Sequence, residues 1–195
     1  MSYPRVVLGL PGWVEELIPP DPDRVYPAEE DRMRLVIELS RRNVAHGTGG
    51  PFGAGVFDLS TNRLVAPGVN LVTTTNLSTA HAEIVAIMIA QQVVGHFDLG
   101  GPGRPPYELV ASTEPCAQCF GSVSWSGVRR LACGARDEDA RAIGFDEGPK
   151  MPDWILALER RGISVVRDVC RDEAAAVLEE YAGRGGVIYN ARQGE

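Results

Sequence analysis

Two short motifs constrain this chain more than any other feature of its sequence. His81-Ala82-Glu83 and Pro115-Cys116-Ala117-Gln118-Cys119 hold an imidazole and two thiols. Those are three ligands for one Zn²⁺, and a catalytic zinc keeps its fourth position for water. Any fold for this chain must therefore bring the segment at residue 81 against the segment at residue 116. Each motif is expected at the N-terminus of a helix, where free N–H groups and the helix dipole favour thiolates. Glu83 stands two residues from His81, close enough to reach the water without being a ligand. The combination describes a hydrolytic centre, in which a carboxylate takes a proton from water and returns it to the leaving group.

Each half alone is weak. A CxxC pair also fits a redox dithiol or half of a structural zinc site, and His-x-Glu is common by chance. A closed structural site would need a fourth ligand, and the other histidines, His46 and His96, belong to no compact ligand motif. Cys133 and Cys170 fall in strand-like contexts and read as small buried hydrophobes.

The pattern around these motifs alternates helices with strands. Pro4, Pro11, Pro19, Pro20, Pro22 and Pro27 mark residues 1–27 as an extended arm outside the core, with one amphipathic turn at Trp13, Val14, Leu17 and Ile18 that packs on the domain or on a second subunit. A helix is expected over 28–45, strands over 52–59 and 64–70 with a turn at 60–63, a threonine-rich loop over 73–79, and a buried helix over 80–94. Strands follow at 107–112, 130–135 and 163–167. Helices are expected at 116–126, 137–143, 152–161 and 172–181. That order predicts an α/β sandwich with a mixed sheet covered by helices, the main domain spanning 28–182 and a tail 183–195.

Composition narrows the partners. The 195 residues carry 19 Lys plus Arg against 26 Asp plus Glu, a formal charge of −7 that disfavours nucleic acid. Only Lys150 is a lysine, and the arginines are scattered rather than gathered in a stripe. With no apolar run near the roughly 20 residues a membrane span needs, the chain is expected to be soluble and cytoplasmic, with no membrane partner.

The run Pro51-Phe52-Gly53-Ala54, then Thr79-Ala80-His81-Ala82-Glu83, then Glu114-Pro115-Cys116-x-x-Cys119, resembles the cytidine deaminase superfamily. Within it, the segment from Asn70 to Thr75, Trp125 six residues beyond Cys119, and Ala142-Ile143-Gly144-Phe145-Asp146-Glu147 are most similar to the bacterial guanine deaminase branch, which includes amino-triazine deaminases. The resemblance implies a three-layer α/β/α sandwich around a mixed five-stranded sheet. It implies zinc on His81, Cys116 and Cys119, and Glu83 as proton shuttle. Asn70 would bond a ring carbonyl or ring nitrogen, while Phe52 and Trp125 would wall a flat heterocycle. Outside the resemblance, these three read as core aromatics and a strand-end residue.

Asp146-Glu147 bears on the substrate, because an amidine-like N–H edge such as guanine's calls for a carboxylate acceptor. The branch usually has aspartate at the position of Glu147. The longer side chain leaves room for a smaller ring, a triazine or a pyrimidine. The resemblance also implies a homodimer in which the C-terminal segment crosses to the partner, with Gly185-Gly186 as hinge and Tyr189 as lid. The favoured expectation is a zinc-dependent aminohydrolase of guanine or a related base or nucleoside. Deamination of cytosine, cytidine or an amino-triazine, a tRNA adenosine deaminase, and a non-catalytic zinc-stabilised binding module remain as alternatives.

Overall fold

A computed structural model describes residues 3–21 and 23–190; Ser2, Pro22 and the last five residues of the expected tail lie outside this range. The chain runs α1 (Trp13–Leu17), α2 (Glu29–Ala45), β1 (Gly53–Asp58), β2 (Arg63–Val69), α3 (Val72–Thr75), α4 (Ala82–Val94), β3 (Tyr107–Thr113), α5 (Ala117–Ser126), β4 (Arg130–Ala135), α6 (Asp137–Ala142), α7 (Trp154–Glu159), β5 (Ser164–Val166) and α8 (Arg171–Gly183). The strands form one mixed five-stranded sheet in the order β2-β1-β3-β4-β5. β1 is antiparallel to both β2 and β3, whereas β3, β4 and β5 are mutually parallel.

Period-two alternation along the strands divides the core into two layers. Phe57, Val110 and Ala132 point to the face covered by α2 and α8, where they meet Met33, Val36, Leu39, Val177 and Leu178. Val56, Leu109, Leu131 and Cys133 point to the opposite face, against Ala82, Ala86 and Ala90 of α4 and Val123 of α5. Central β3 is buried along its whole length, as a strand covered on both faces must be. Pro67 is tolerated because β2 is an edge strand, where a missing N–H breaks no outer ladder. Two strand glycines let helix backbones approach the sheet: a Cβ on Gly53 would sit 2.2 Å from the Val36 carbonyl oxygen, and one on Gly68 2.2 Å from that of Ala82.

Several details depart from the sequence reading. Trp13 and Val14 are buried in the core, Trp13 donating to Thr48 Oγ1 at 3.1 Å and stacking on His46, so part of the proline-rich segment is built into the domain. The threonine-rich loop contains the four-residue α3, its first turn fixed by Thr75 Oγ1 donating to Leu71 O and by Asn70 Oδ1 accepting from Val72 N. Cys170 is not in a strand; it caps α8 with a left-handed backbone, φ 50°, and is half-buried. All four cysteines are free. No helix among the described residues is long and apolar enough to cross a membrane.

Beneath the sheet end, Glu108 of β3 is fully buried and ion-paired with Arg32 of α2 at 2.7 Å and with Arg130, which also pairs with Glu29. This cluster fastens α2 to the central strands, and Arg32 also donates to the carbonyls of Tyr26 and Pro27 at the mouth of the helix.

Candidate active site

His81 is the N-cap of α4 and Cys116 the N-cap of α5, each in extended backbone geometry, with Cys119 one turn into α5. The helices lie side by side on one face of the sheet, so their N-terminal ends converge. His81 Nδ1 is 3.5 Å from Cys116 Sγ and 3.4 Å from Cys119 Sγ, and the three donor atoms lie within 4.8 Å of one another. Tetrahedral zinc, with Zn–N near 2.0 Å and Zn–S near 2.3 Å, needs N···S separations of about 3.5 Å, so the donor set fits that ion.

The protonation of the trio points the same way. Cys116 is held down at about 4, chiefly by the hydrogen bond from Cys119, while Cys119 is pushed up by sharing that proton and by burial. Burial pulls His81 down, but the Cys116 sulfur and the charges of Cys116, Glu83 and Glu147 outweigh it and leave the imidazole raised. The pair thus carries one thiolate beside an imidazole, a state in which a cation replaces the remaining thiol proton. Glu83, in the first turn of α4, is buried beside the trio, and burial raises its carboxyl above the usual range.

The trio and Glu83 line a cavity of about 390 Å³ together with Phe52, Asn70, Phe145, Glu147 and Tyr189. Phe52 precedes β1, and its ring meets that of Phe145 edge-on at 5.0 Å. Asn70 follows β2 and is 1% exposed; its Oδ1 accepts from the main-chain N–H groups of Val72 and Gly50, which leaves the NH₂ end of the amide for the cavity. Glu147 is buried, and burial first, with the Cys116 charge second, pushes its carboxyl up to about 8. Asp146 is at the exposed mouth and accepts from Gly148 N, so of the acidic pair it is Glu147 that reaches inward. Tyr189 stands edge-on to Phe145 at 5.1 Å, and its buried hydroxyl has no hydrogen-bond partner among the described residues.

Two expected features lie elsewhere in the single chain. Trp125 does not wall the cavity of its chain: it is 82% exposed, with the Arg161 guanidinium over its ring. It lies nine residues beyond Cys116 on α5, about 13 Å along the axis, and six residues past Cys119 turn it roughly 240° from that side chain. Among the described residues, the C-terminal segment packs on its own domain as far as Asn190. Past α8, Gly185 turns it back with φ +70°, Tyr181 Oη donates to Val187 O, and Asn190 bonds both Gly144 O and Asp146 N. Two residues went unassigned by sequence reasoning. Phe145 lies inside a run already singled out and is the hub of the aromatic wall; Asn190 latches the tail and carries no local signal.

A histidine and two cysteines spaced for zinc, with a buried carboxylate lining the same cavity, define a metal-dependent hydrolase. The model of the cytidine and deoxycytidylate deaminase zinc-binding region matches residues 27–135. Guanine deaminase of Bacillus subtilis is 36% identical over 118 residues, 60% of this chain and 71% of that protein. A solved structure of guanine deaminase from Nitrosomonas europaea superposes with a TM-score of 0.88 at 45% identity, covering 94% of this chain and 99% of that one. A solved complex with 2,6-diaminopurine gives 0.88 at 48% identity, covering 94% and 96%. The chain belongs to the cytidine and deoxycytidylate deaminase family. It is a zinc-dependent hydrolytic deaminase.

Proposed function

We infer that the substrate is guanine or a guanine-like amino-heterocycle, taken as the free base or a small nucleoside. The observation that carries this reading is the cavity's polar pattern: besides Glu83 at the metal ligands, the buried carboxylate of Glu147 and the buried amide of Asn70 line a slot walled by Phe52, Phe145 and Tyr189. Guanine offers a carbonyl that accepts from an amide NH₂ and an N–H edge that donates to a carboxylate. Burial keeps Glu147 near 8, and two N–H donors from the substrate draw it into its ionised form. The guanine deaminase relatives and the diaminopurine complex support a purine of this kind.

His81, Cys116 and Cys119 would hold the zinc, which supplies a water acidified toward a pKa of roughly 7 and polarises it for attack. Glu83 would accept a proton from the attacking water as its oxygen bonds to the amino-bearing carbon. It would pass that proton to the ring nitrogen beside the attacked carbon and then carry the proton of the added hydroxyl to the amino nitrogen as the C–N bond breaks, so that the ring keeps a carbonyl and an N–H and ammonia leaves. Its raised carboxyl suits both acts, because a group that holds its proton more tightly accepts one readily and is still acidic enough to protonate an amine. Asn70, Glu147 and the aromatic walls hold the ring so that its amino carbon faces Glu83.

The unpaired Cys133 and Cys170 suit a reducing compartment, the cytoplasm. Exposed Met88 on α4 and Trp125 on α5, in the same layer, support pairing with a second copy; a monomer in a sizing experiment would rule that out.

Ammonia release from guanine, guanosine, cytosine, cytidine, adenine and ammeline tests the substrate. Guanine is expected to be consumed fastest. Turnover of cytidine or adenosine alone would refute the assignment, and a preference for ammeline would move it to the triazines.

A further inference from the structure

Lys150 is the chain's one lysine among 19 basic residues, and its side chain is 7% exposed. Its ammonium donates to Pro115 O at 2.9 Å, pairs with Asp137 Oδ1 at 2.9 Å, stands 3.8 Å from Glu114 Oε2 and lies 4.8 Å over the Trp154 ring. Pro115 is the residue before Cys116. On the other side of Cys116, Ala117 N donates to Glu147 O at 2.9 Å, and a Cβ on Gly148 would already lie 3.1 Å from that of Ala117. The loop from Glu147 to Lys150 is therefore fastened to the chain on both flanks of a metal ligand, once through the main chain and once through Lys150.

We propose that Lys150 is a positioning residue for substrate recognition: by tying its loop to the Pro115 carbonyl, it sets where the Glu147 carboxylate stands relative to the metal ligands. A compact ammonium spreads three donors tetrahedrally and fits a slot whose oxygens lie in different directions under an aromatic face. A planar guanidinium does not, and this explains a lysine in a chain that otherwise uses arginine. Lys150 does not line the cavity. It acts through Glu147, so its loss shifts the alignment of the ring more than the chemistry at Glu83.

This inference rests on the guanine reading, and the test keeps the two apart. KM, kcat and zinc content are measured for the zinc-loaded wild type and for Lys150→Met, Lys150→Arg, Glu147→Gln and the Glu147→Gln/Lys150→Met double variant, on guanine or on whichever base the wild type consumes. Lys150→Met is expected to raise KM roughly 10- to 100-fold, as loss of a supporting contact does, with kcat within about threefold and zinc stoichiometric. Lys150→Arg falls between Lys150→Met and wild type. In the Glu147→Gln background, Lys150→Met adds less than about twofold, because its effect runs through the missing carboxylate. A native KM in Lys150→Met, loss of zinc from it, or a full independent effect in the double variant would overturn the proposal. Should Lys150→Met fail to fold, Lys150→Arg decides: a raised KM with zinc retained supports the role, and a native KM refutes it. A wild type inert toward guanine removes only the substrate assignment.

Discussion

Gly68→Ala tests how the sheet places the site. Gly68, in edge strand β2, lies under the first turn of α4, and a Cβ there would be 2.2 Å from Ala82 O, 2.6 Å from Ala86 N and 2.8 Å from Ala86 Cβ. Two of the three atoms are helix backbone, so no side chain can turn aside. α4 must retreat by about 1 Å, and His81 and Glu83 retreat with it while Cys116 and Cys119 stay on α5. Overpacking of this kind costs roughly 1–3 kcal/mol, which for a domain of this size lowers Tm by roughly 3–10 °C. The effect on the site is larger in proportion, because metal–ligand distances tolerate only about 0.2 Å and a 1 Å misplacement of a reacting group costs about 100-fold in rate. Thermal unfolding, chelator competition for zinc and turnover are compared with Gly121→Ala, whose added methyl meets nothing within 4 Å and which should be neutral or stabilising by up to about 1 kcal/mol. A Gly68→Ala protein with native Tm and native zinc affinity would refute the claim that this close approach sets the ligand geometry.

Two other substitutions probe charge in the interior. Glu147 is raised by burial to about 8, so between its unfolded value near 4.5 and 8 the folded metal-free protein binds the extra proton and loses stability as pH rises. Glu147→Gln removes that loss, becoming more stable than wild type by roughly 3–5 kcal/mol above pH 8 and about equal to it below pH 4.5; denaturant titrations of both metal-free proteins across pH check this, and a pH-independent difference would contradict it. Glu108→Gln leaves Arg32 and Arg130 facing a neutral amide in the core, with an expected loss of about 3–5 kcal/mol in urea unfolding; a change under 1 kcal/mol would show the cluster to be dispensable.

The parts of the molecule set by local chemistry could be read from the sequence, and the parts set by distant contacts could not. His81, Glu83, Cys116 and Cys119 stand out because zinc and water chemistry leave few other uses for that spacing, and both ligand motifs open helices as their surroundings suggest. The β1–β2 hairpin and the parallel strands follow from alternation and turn residues. Trp125 faces away from its own chain's cavity because a spacing of six along a helix points a side chain away from its reference, which a one-dimensional motif does not reveal. The tail's packing depends on the left-handed Gly185 and on Asn190 reaching Gly144 and Asp146, contacts 46 and 44 residues apart. Lys150 showed only as a compositional oddity, since its partner Pro115 is 35 residues away.

The account stands most directly on Glu83. Zinc content and ammonia release from guanine, measured on wild type and Glu83→Gln under identical loading, separate a proton-shuttling carboxylate from a residue that only packs against the metal site. Glu83→Gln is expected to keep its zinc and to lose turnover by roughly 10²- to 10⁴-fold. A Glu83→Gln protein that binds zinc and releases ammonia at the wild-type rate would contradict the account.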